Sequence, residues 1–307
     1  MCDTCGCNIT SGNAHLVNND GKLALTEDGK SAITVLKSLL SENDHQAIHN
    51  REHFDQHSVL AINLMSSPGS GKTALLEATI EALGDELSIG VIEGDLETEN
   101  DAERIRAKGV PAIQISTGSA CHLDAHMLHD ALHHMKLDDL DIVFIENVGN
   151  LVCPASFDLG QHRNVTLLSV TEGDDKPAKY PVIFRAADLV LQTKSDLLTV
   201  LDDFDPASAE KNLRNLASEA PYMQLAARRD VDIDAWLLWL QDEVIAQRGR
   251  VARNEIMRPA IQAEGVELHI AEHSHSHQQG HSHSSSHHHP HKHDHSHSHS
   301  HSHEHGK

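Results

Sequence analysis

Apolar positions along this chain fall into two alternating patterns. Continuous apolar runs occupy residues 59–65, 88–93, 110–115, 141–145, 165–170, 182–184, 188–191 and 222–225. Runs of that length, bounded by glycine, proline and acidic residues, predict strands, and the run over 141–145 reads as buried on both faces. Between them, apolar residues recur at helical spacing over 30–56, 74–83, 99–108, 123–135, 206–217 and 233–246. In the first of these, Ser31 is placed to cap the helix and Ile33, Leu36, Leu39 and Leu40 form its apolar stripe. Strand and helix in alternation predict an α/β fold with a mostly parallel sheet and helices on both faces. In such folds ligands sit at the carboxyl ends of the strands.

The junction after the first strand carries the strongest chemical signal. Ser66-Ser67-Pro68-Gly69-Ser70-Gly71-Lys72-Thr73 joins the strand to a helix. Strand, glycine-rich loop, Gly-Lys-Thr and helix make the phosphate loop of P-loop NTPases. Gly69 and Gly71 let backbone N–H groups converge on one point, and the helix adds its positive end. Pro68 and Ser70 complete the loop, Lys72 is placed for the β- and γ-phosphates, and the Thr73 hydroxyl for Mg²⁺. The pattern usually opens with glycine; Ser66 stands there instead.

Three further motifs follow strands. Glu93-Gly94-Asp95 offers Asp95 for Mg²⁺ or for positioning a water, and Glu146-Asn147-Val148-Gly149-Asn150 offers Glu146 as a second metal-binding carboxylate. Thr193-Lys194-Ser195-Asp196 is similar to the Asn-Lys-x-Asp guanine signature, with Thr193 in the place of asparagine. A carboxylate at Asp196 accepts from guanine N1–H and its exocyclic amine, a pair that adenine lacks.

Composition adds metals to this picture. Cys2-Asp3-Thr4-Cys5-Gly6-Cys7 sets three thiols in a short arc, a soft site for zinc, Cu(I), an iron–sulfur centre or planar Ni²⁺ or, alternatively, a redox pair. Cys121-His122 and Cys153 lie beyond strand ends and offer two thiolates and an imidazole to Zn²⁺ or Ni²⁺. From Cys121-His122 the pattern reads as the start of a helix that aligns His122, His126, His129 and His133. His45, His49, His53 and His57 recur every fourth residue, which reads as a solvated helix face. Residues 273–307 hold 16 of the 28 histidines, from His273 to His305, in an irregular His-Ser repeat. Such a segment cannot build a core and is expected to be a disordered binder of Ni²⁺ and related ions. The organisation is therefore 1–29 as cysteine motif and linker, 30–268 as nucleotide domain, and 269–307 as histidine tail. A formal net charge of −22 over 307 residues argues against nucleic acid as a partner. The absence of a membrane-length apolar run or a signal pattern points to the cytoplasm with no membrane insertion.

Together these residues resemble the hydrogenase nickel-incorporation GTPases, the HypB family. The likeness rests on the N-terminal cysteine motif, Asn50-Arg51, the phosphate loop, Glu93-Gly94-Asp95, Cys121-His122-Leu123-Asp124 and Glu146-Asn147-Val148-Gly149-Asn150-Leu151-Val152-Cys153-Pro154. The resemblance implies a GTPase using GTP and Mg²⁺, a homodimer formed with nucleotide, and delivery of nickel to the [NiFe]-hydrogenase large-subunit precursor with a HypA-type nickel/zinc accessory protein. It implies tight nickel binding at Cys2, Cys5 and Cys7, and Ni²⁺ or Zn²⁺ held by Cys121, His122 and Cys153 at the dimer interface. Ala226-Ala227-Arg228 stands where the family has a guanine-contacting Ser-Ala-Lys/Arg turn, which puts Ala227 against the base. Three other readings remain: a small-molecule phosphotransferase on the same loop, nickel delivery to another enzyme, as in the urease branch, and nickel storage with a vestigial nucleotide site.

Overall fold

The computed structural model describes residues 32–95, 100–118, 120–229 and 232–255. The cysteine motif of residues 1–29, the Ser31 cap and the histidine tail lie outside the described residues. Fifteen regular elements follow in order: α1 (Ala32–Gln56), β1 (Leu60–Ser66), α2 (Lys72–Leu83), β2 (Ile89–Asp95), α3 (Asn100–Arg106), β3 (Ala112–Ser116), α4 (Ala125–Leu132), β4 (Ile142–Glu146), β5 (Arg163–Ser169), α5 (Lys176–Lys179), α6 (Pro181–Arg185), β6 (Leu189–Thr193), α7 (Pro206–Arg214), β7 (Tyr222–Gln224) and α8 (Asp234–Ala252). The seven strands form one sheet in the order β3-β2-β4-β1-β5-β6-β7, and every pairing is parallel.

β1 lies mid-sheet, and all its residues are buried. Its side chains alternate between faces, as strand geometry requires. Leu60, Ile62 and Leu64 pack with Leu75 and Leu76 of α2 and with Trp236, Leu240 and Val244 of α8. Ala61 and its neighbour Val59 pack with Phe54 of α1 and with Leu128 and Leu132 of α4. Side chains of this size contribute about 1.5–3 kcal/mol each when fully buried. Strand edges and loops beyond β5 and β6 are sealed by a third cluster around Leu168, Val190, Phe184 and Leu213.

Two expectations change. Residues 182–184 form no strand; they are the middle of α6, with Ile183 and Phe184 turned into the third cluster. Three successive apolar residues fit either period, and Pro181 at the start of the helix tips the choice. Cys121 and His122 do not open α4. The helix begins at Ala125, where the Asp124 carboxylate accepts from Met127 N–H at 2.8 Å, so both ligands sit in the preceding loop.

A polar clasp holds α1 against the start of α4 and against the loop that precedes β5. Asn43 donates to Asp158 O at 2.8 Å and accepts from Ala125 N at 2.9 Å. Asn50 donates to Ala125 O and Leu159 O at 2.8 and 3.0 Å, and Arg51 pairs with Asp158 at 2.8 Å. The Asn50 amide and one end of the Arg51 guanidinium find partners, which is what makes their burial tolerable, while Arg51 Nε has none among the described residues. Asn50-Arg51 is thus an architectural pair. His45 and His49 are exposed, as a solvated face requires, whereas His53 and His57 are half-buried.

Candidate nucleotide and metal site

The loop from Ser66 to Lys72 turns around Gly69 and Gly71, at φ +72° and +99°, a backbone region open to glycine and strained for other residues. Lys72 is buried, with Nζ 3.1 Å from Ser66 Oγ and 4.0 Å from Glu146 Oε1. The serine that departs from the glycine pattern therefore orients the lysine. Thr73 Oγ1 donates to Glu146 Oε1 at 2.9 Å. Behind the loop, Glu172 accepts from Ser67 Oγ at 2.7 Å and from Ser70 Oγ, so its carboxylate braces the turn.

A cavity of about 930 Å³ opens above this loop, lined by Gly69–Thr73, Asp101, Arg104 and Glu146 at one end and by Thr193, Lys194, Asp196 and Ala226–Arg228 at the other. Its size suits a nucleoside triphosphate. The Thr193 departure has a structural answer: Oγ1 donates to Ser70 O at 2.6 Å, so threonine ties this motif to the phosphate loop. Lys194 adds a bond from Nζ to Gly69 O at 2.7 Å. Ser195 N–H and Oγ both donate to Leu225 O, at 3.1 and 2.7 Å, which draws the Ala226–Arg228 turn beside Asp196.

Oxygen ligands cluster beside Thr73. Carboxylate oxygens of Glu93, Asp101 and Glu146 all lie within 4.8 Å of one another. Burial, then the charges of Glu146 and neighbouring acids, pushes Glu93 up to about 8. Burial raises Glu146 to about 7 against the pull of Lys72. One oxygen of each has no hydrogen-bond partner among the described residues. An all-oxygen set with orphaned, crowded carboxylates fits a hard divalent cation such as Mg²⁺. Asp95 closes β2 next to Glu93 and adds its charge there. Glu93 and Asp101 escaped sequence reasoning: one was a strand residue in a motif read for its aspartate, the other an ordinary acid on a helix.

The raised values carry a sign. Ionising Glu93 and Glu146 costs folding stability in the metal-free protein. That cost is absent below about 4.5, the unfolded value, and grows until pH passes about 7 and about 8. Metal-free protein is therefore expected to melt at lower temperature at pH 8 than at pH 6, with saturating Mg²⁺ narrowing the gap. Thermal scans at both pH values check this; a gap that Mg²⁺ leaves untouched would remove these carboxylates from the cation site.

A second cluster lies beyond β4. Cys121 Sγ is 3.0 Å from Cys153 Sγ and 3.7 Å from His122 Nδ1, and the two cysteines are thiols, not a disulfide. His122 stacks on Phe157, and burial lowers its pKa, which keeps a nitrogen lone pair for metal. Two thiols and an imidazole fit Zn²⁺ or Ni²⁺. The segment between Glu146 and Cys153 touches both clusters. A Cβ on Gly149 would lie 2.8 Å from Pro68 Cα, so only glycine lets it approach the phosphate loop this closely. Asn147 Oδ1 accepts from Leu123 N at 3.2 Å, and Asn150 donates to Cys121 O at 3.2 Å. Cys2, Cys5, Cys7 and the tail histidines lie outside the described residues.

A parallel sheet with this loop at its central strand, a cavity that runs on to the Thr193–Asp196 and Ala226–Arg228 turns and an adjoining carboxylate cluster defines a P-loop nucleotide-binding protein of the GTPase type. A family model described as "CobW/HypB/UreG, nucleotide-binding domain" matches residues 60–224. The hydrogenase maturation factor HypB of Azotobacter vinelandii is 48% identical over 237 residues, 76% of each chain. The HypB of Escherichia coli K12 is 51% identical over 205 residues, 67% of this chain and 70% of its own. The crystal structure of Helicobacter pylori HypB in complex with nickel is 38% identical, with a TM-score of 0.62, and covers 72% of this chain and all of that one. The chain belongs to the HypB family. Among the described residues no helix is long and apolar enough to cross a membrane.

Proposed function

We propose that this HypB-family protein is a Mg²⁺-dependent GTPase and nickel metallochaperone that helps load the [NiFe]-hydrogenase large subunit. The observation that carries the reading is the Glu146–Cys153 segment. At one end Glu146 bonds Thr73 in the nucleotide site, and at the other Cys153 faces Cys121. Lys72 stabilises charge on the transferred phosphoryl group, and Thr73, Glu146, Glu93, Asp101 and Asp95 surround the cation position. Mg²⁺ held there would neutralise charge on the β- and γ-phosphate oxygens. Asp196 selects guanine, and Ala227 packs against the base. When phosphate leaves, Glu146 and Thr73 change partners, and Gly149 and Asn150 pass that change to the thiols.

The relatives' names support hydrogenase as the destination over urease, and an intact phosphate loop with its lysine and carboxylates speaks against a vestigial site. A homodimer, a HypA-type accessory protein and the large-subunit precursor are the partners that follow from the family. Val152, 54% exposed beside buried Cys153, suits a protein surface at that point. The cytoplasm is the compartment in which Cys121 and Cys153 stay reduced.

Phosphate release with GTP and with ATP tests the reading. Wild type is expected to turn over GTP with Mg²⁺. Asp196→Ala is expected to lower kcat/KM for GTP about a hundredfold or more while leaving ATP unchanged, because the lost acceptor serves guanine alone. Equal use of the two nucleotides by wild type would refute guanine selection.

A further inference from the structure

The seam between α1 and α4 carries histidines that neither described site uses. His129 of α4 and His133 just past its end are four residues apart and share a face. Their Nε2 atoms are 3.1 Å apart, with the rings T-shaped at 4.6 Å. Two nitrogens bound to one ion at about 2.0–2.1 Å, at angles between octahedral and tetrahedral, lie about 2.9–3.4 Å from each other. The pair already has the bite of a chelate.

A neighbouring amide sets the tautomer of His129. Asn50 gives its amide N–H groups to two backbone carbonyls, so its Oδ1 is an acceptor. His129 Nδ1, 3.1 Å away, must then be the donor, and Nε2 keeps its lone pair toward His133. Just past α1, His57 Nδ1 is 2.6 Å from Asp138 Oδ1. His53 stacks edge-on to His57 at 5.1 Å. Burial first, and then the charges of His57, His129 and His133, lowers the pKa of His53.

We propose that His129 and His133 form a separate two-imidazole site for a divalent cation of the nickel and zinc class. An all-imidazole site lacks thiolate, so it holds these ions less tightly than Cys121 and Cys153 and exchanges them faster. It lies at the far end of the helix that follows Cys121 and His122, about 12 Å along the axis for eight residues of α4. That position suits a relay point for cargo.

Carbethoxylation of individual histidines in the full chain, read by peptide mass mapping, is the test. The metal is Ni²⁺ or Zn²⁺, in excess over all thiols and tail histidines. At nine-tenths occupancy, modification of His129 and His133 is expected to slow about tenfold. His133 is exposed, so His133→Ala spares the core. It is expected to abolish protection of His129 while Cys153 remains shielded by metal from alkylation. Equal modification rates with and without metal in wild type, or protection of His129 that survives His133→Ala, would overturn the site.

Discussion

Lys72→Ala is expected to lower GTP turnover by about a thousandfold, the scale for removing a preorganised charge from the reacting centre. Lys72 is one of the few buried cations in the domain, and its ammonium stands between Ser66 Oγ and the Glu146 carboxylate. The lysine lies in the loop after the central strand, so its position is set by the strand and helix on either side. Removing it takes away the pull that opposes burial at Glu146, and Glu146 should rise further above its value of about 7. The protonated acid then sits in a dry site at small cost, so the variant is expected to fold. Its Mg²⁺ affinity near neutral pH should fall together with turnover. Phosphate release at saturating GTP, paired with a thermal melt, checks both statements. Turnover within tenfold of wild type would remove Lys72 from the chemistry.

Cys153→Ala is expected to weaken Ni²⁺ or Zn²⁺ binding at the Cys121–His122 cluster more than about a hundredfold, since even groups that only support a ligand change affinity by 10–100-fold. The measurement belongs in a background where Cys2, Cys5 and Cys7 are serine, with a competing chelator strong enough to strip imidazole sites. Wild-type affinity is expected to differ between the GDP-bound protein and the protein holding a non-hydrolysable GTP analogue, and Cys153→Ala should erase that difference. The direct link is short: Glu146 meets Thr73, Gly149 meets Pro68, and Asn150 holds the Cys121 carbonyl. Coupling is reciprocal, so metal should shift nucleotide affinity by the same factor. Identical metal affinities in both nucleotide states of wild type would dissolve the proposed link.

The phosphate loop was legible because its chemistry is contiguous. Eight successive residues carry the turn, the lysine and the hydroxyl, and the flanking apolar runs name the strand and helix. Thr193 shows the limit of motif reading. It departs from the asparagine of the pattern, and only the fold shows that its hydroxyl bonds the Ser70 carbonyl of the phosphate loop. Ser66 behaves likewise, since its hydroxyl accepts from Lys72.

By itself, the order of residues determined the alternation of strands and helices, the parallel sheet, the nucleotide loop and the family, because local periodicity and short motifs depend on neighbours along the chain. Tertiary structure alone decided which acids converge, which turned Glu93, Asp101 and Glu146 from separate strand and helix residues into one crowded carboxylate cluster. It made α6 of residues 182–184, moved Cys121 and His122 out of a helix and into a loop, and set His129 against His133 with Asn50 behind them. Those outcomes depend on side-chain packing and burial across distant segments, and burial is what turns an ordinary carboxylate or imidazole into a ligand waiting for a cation.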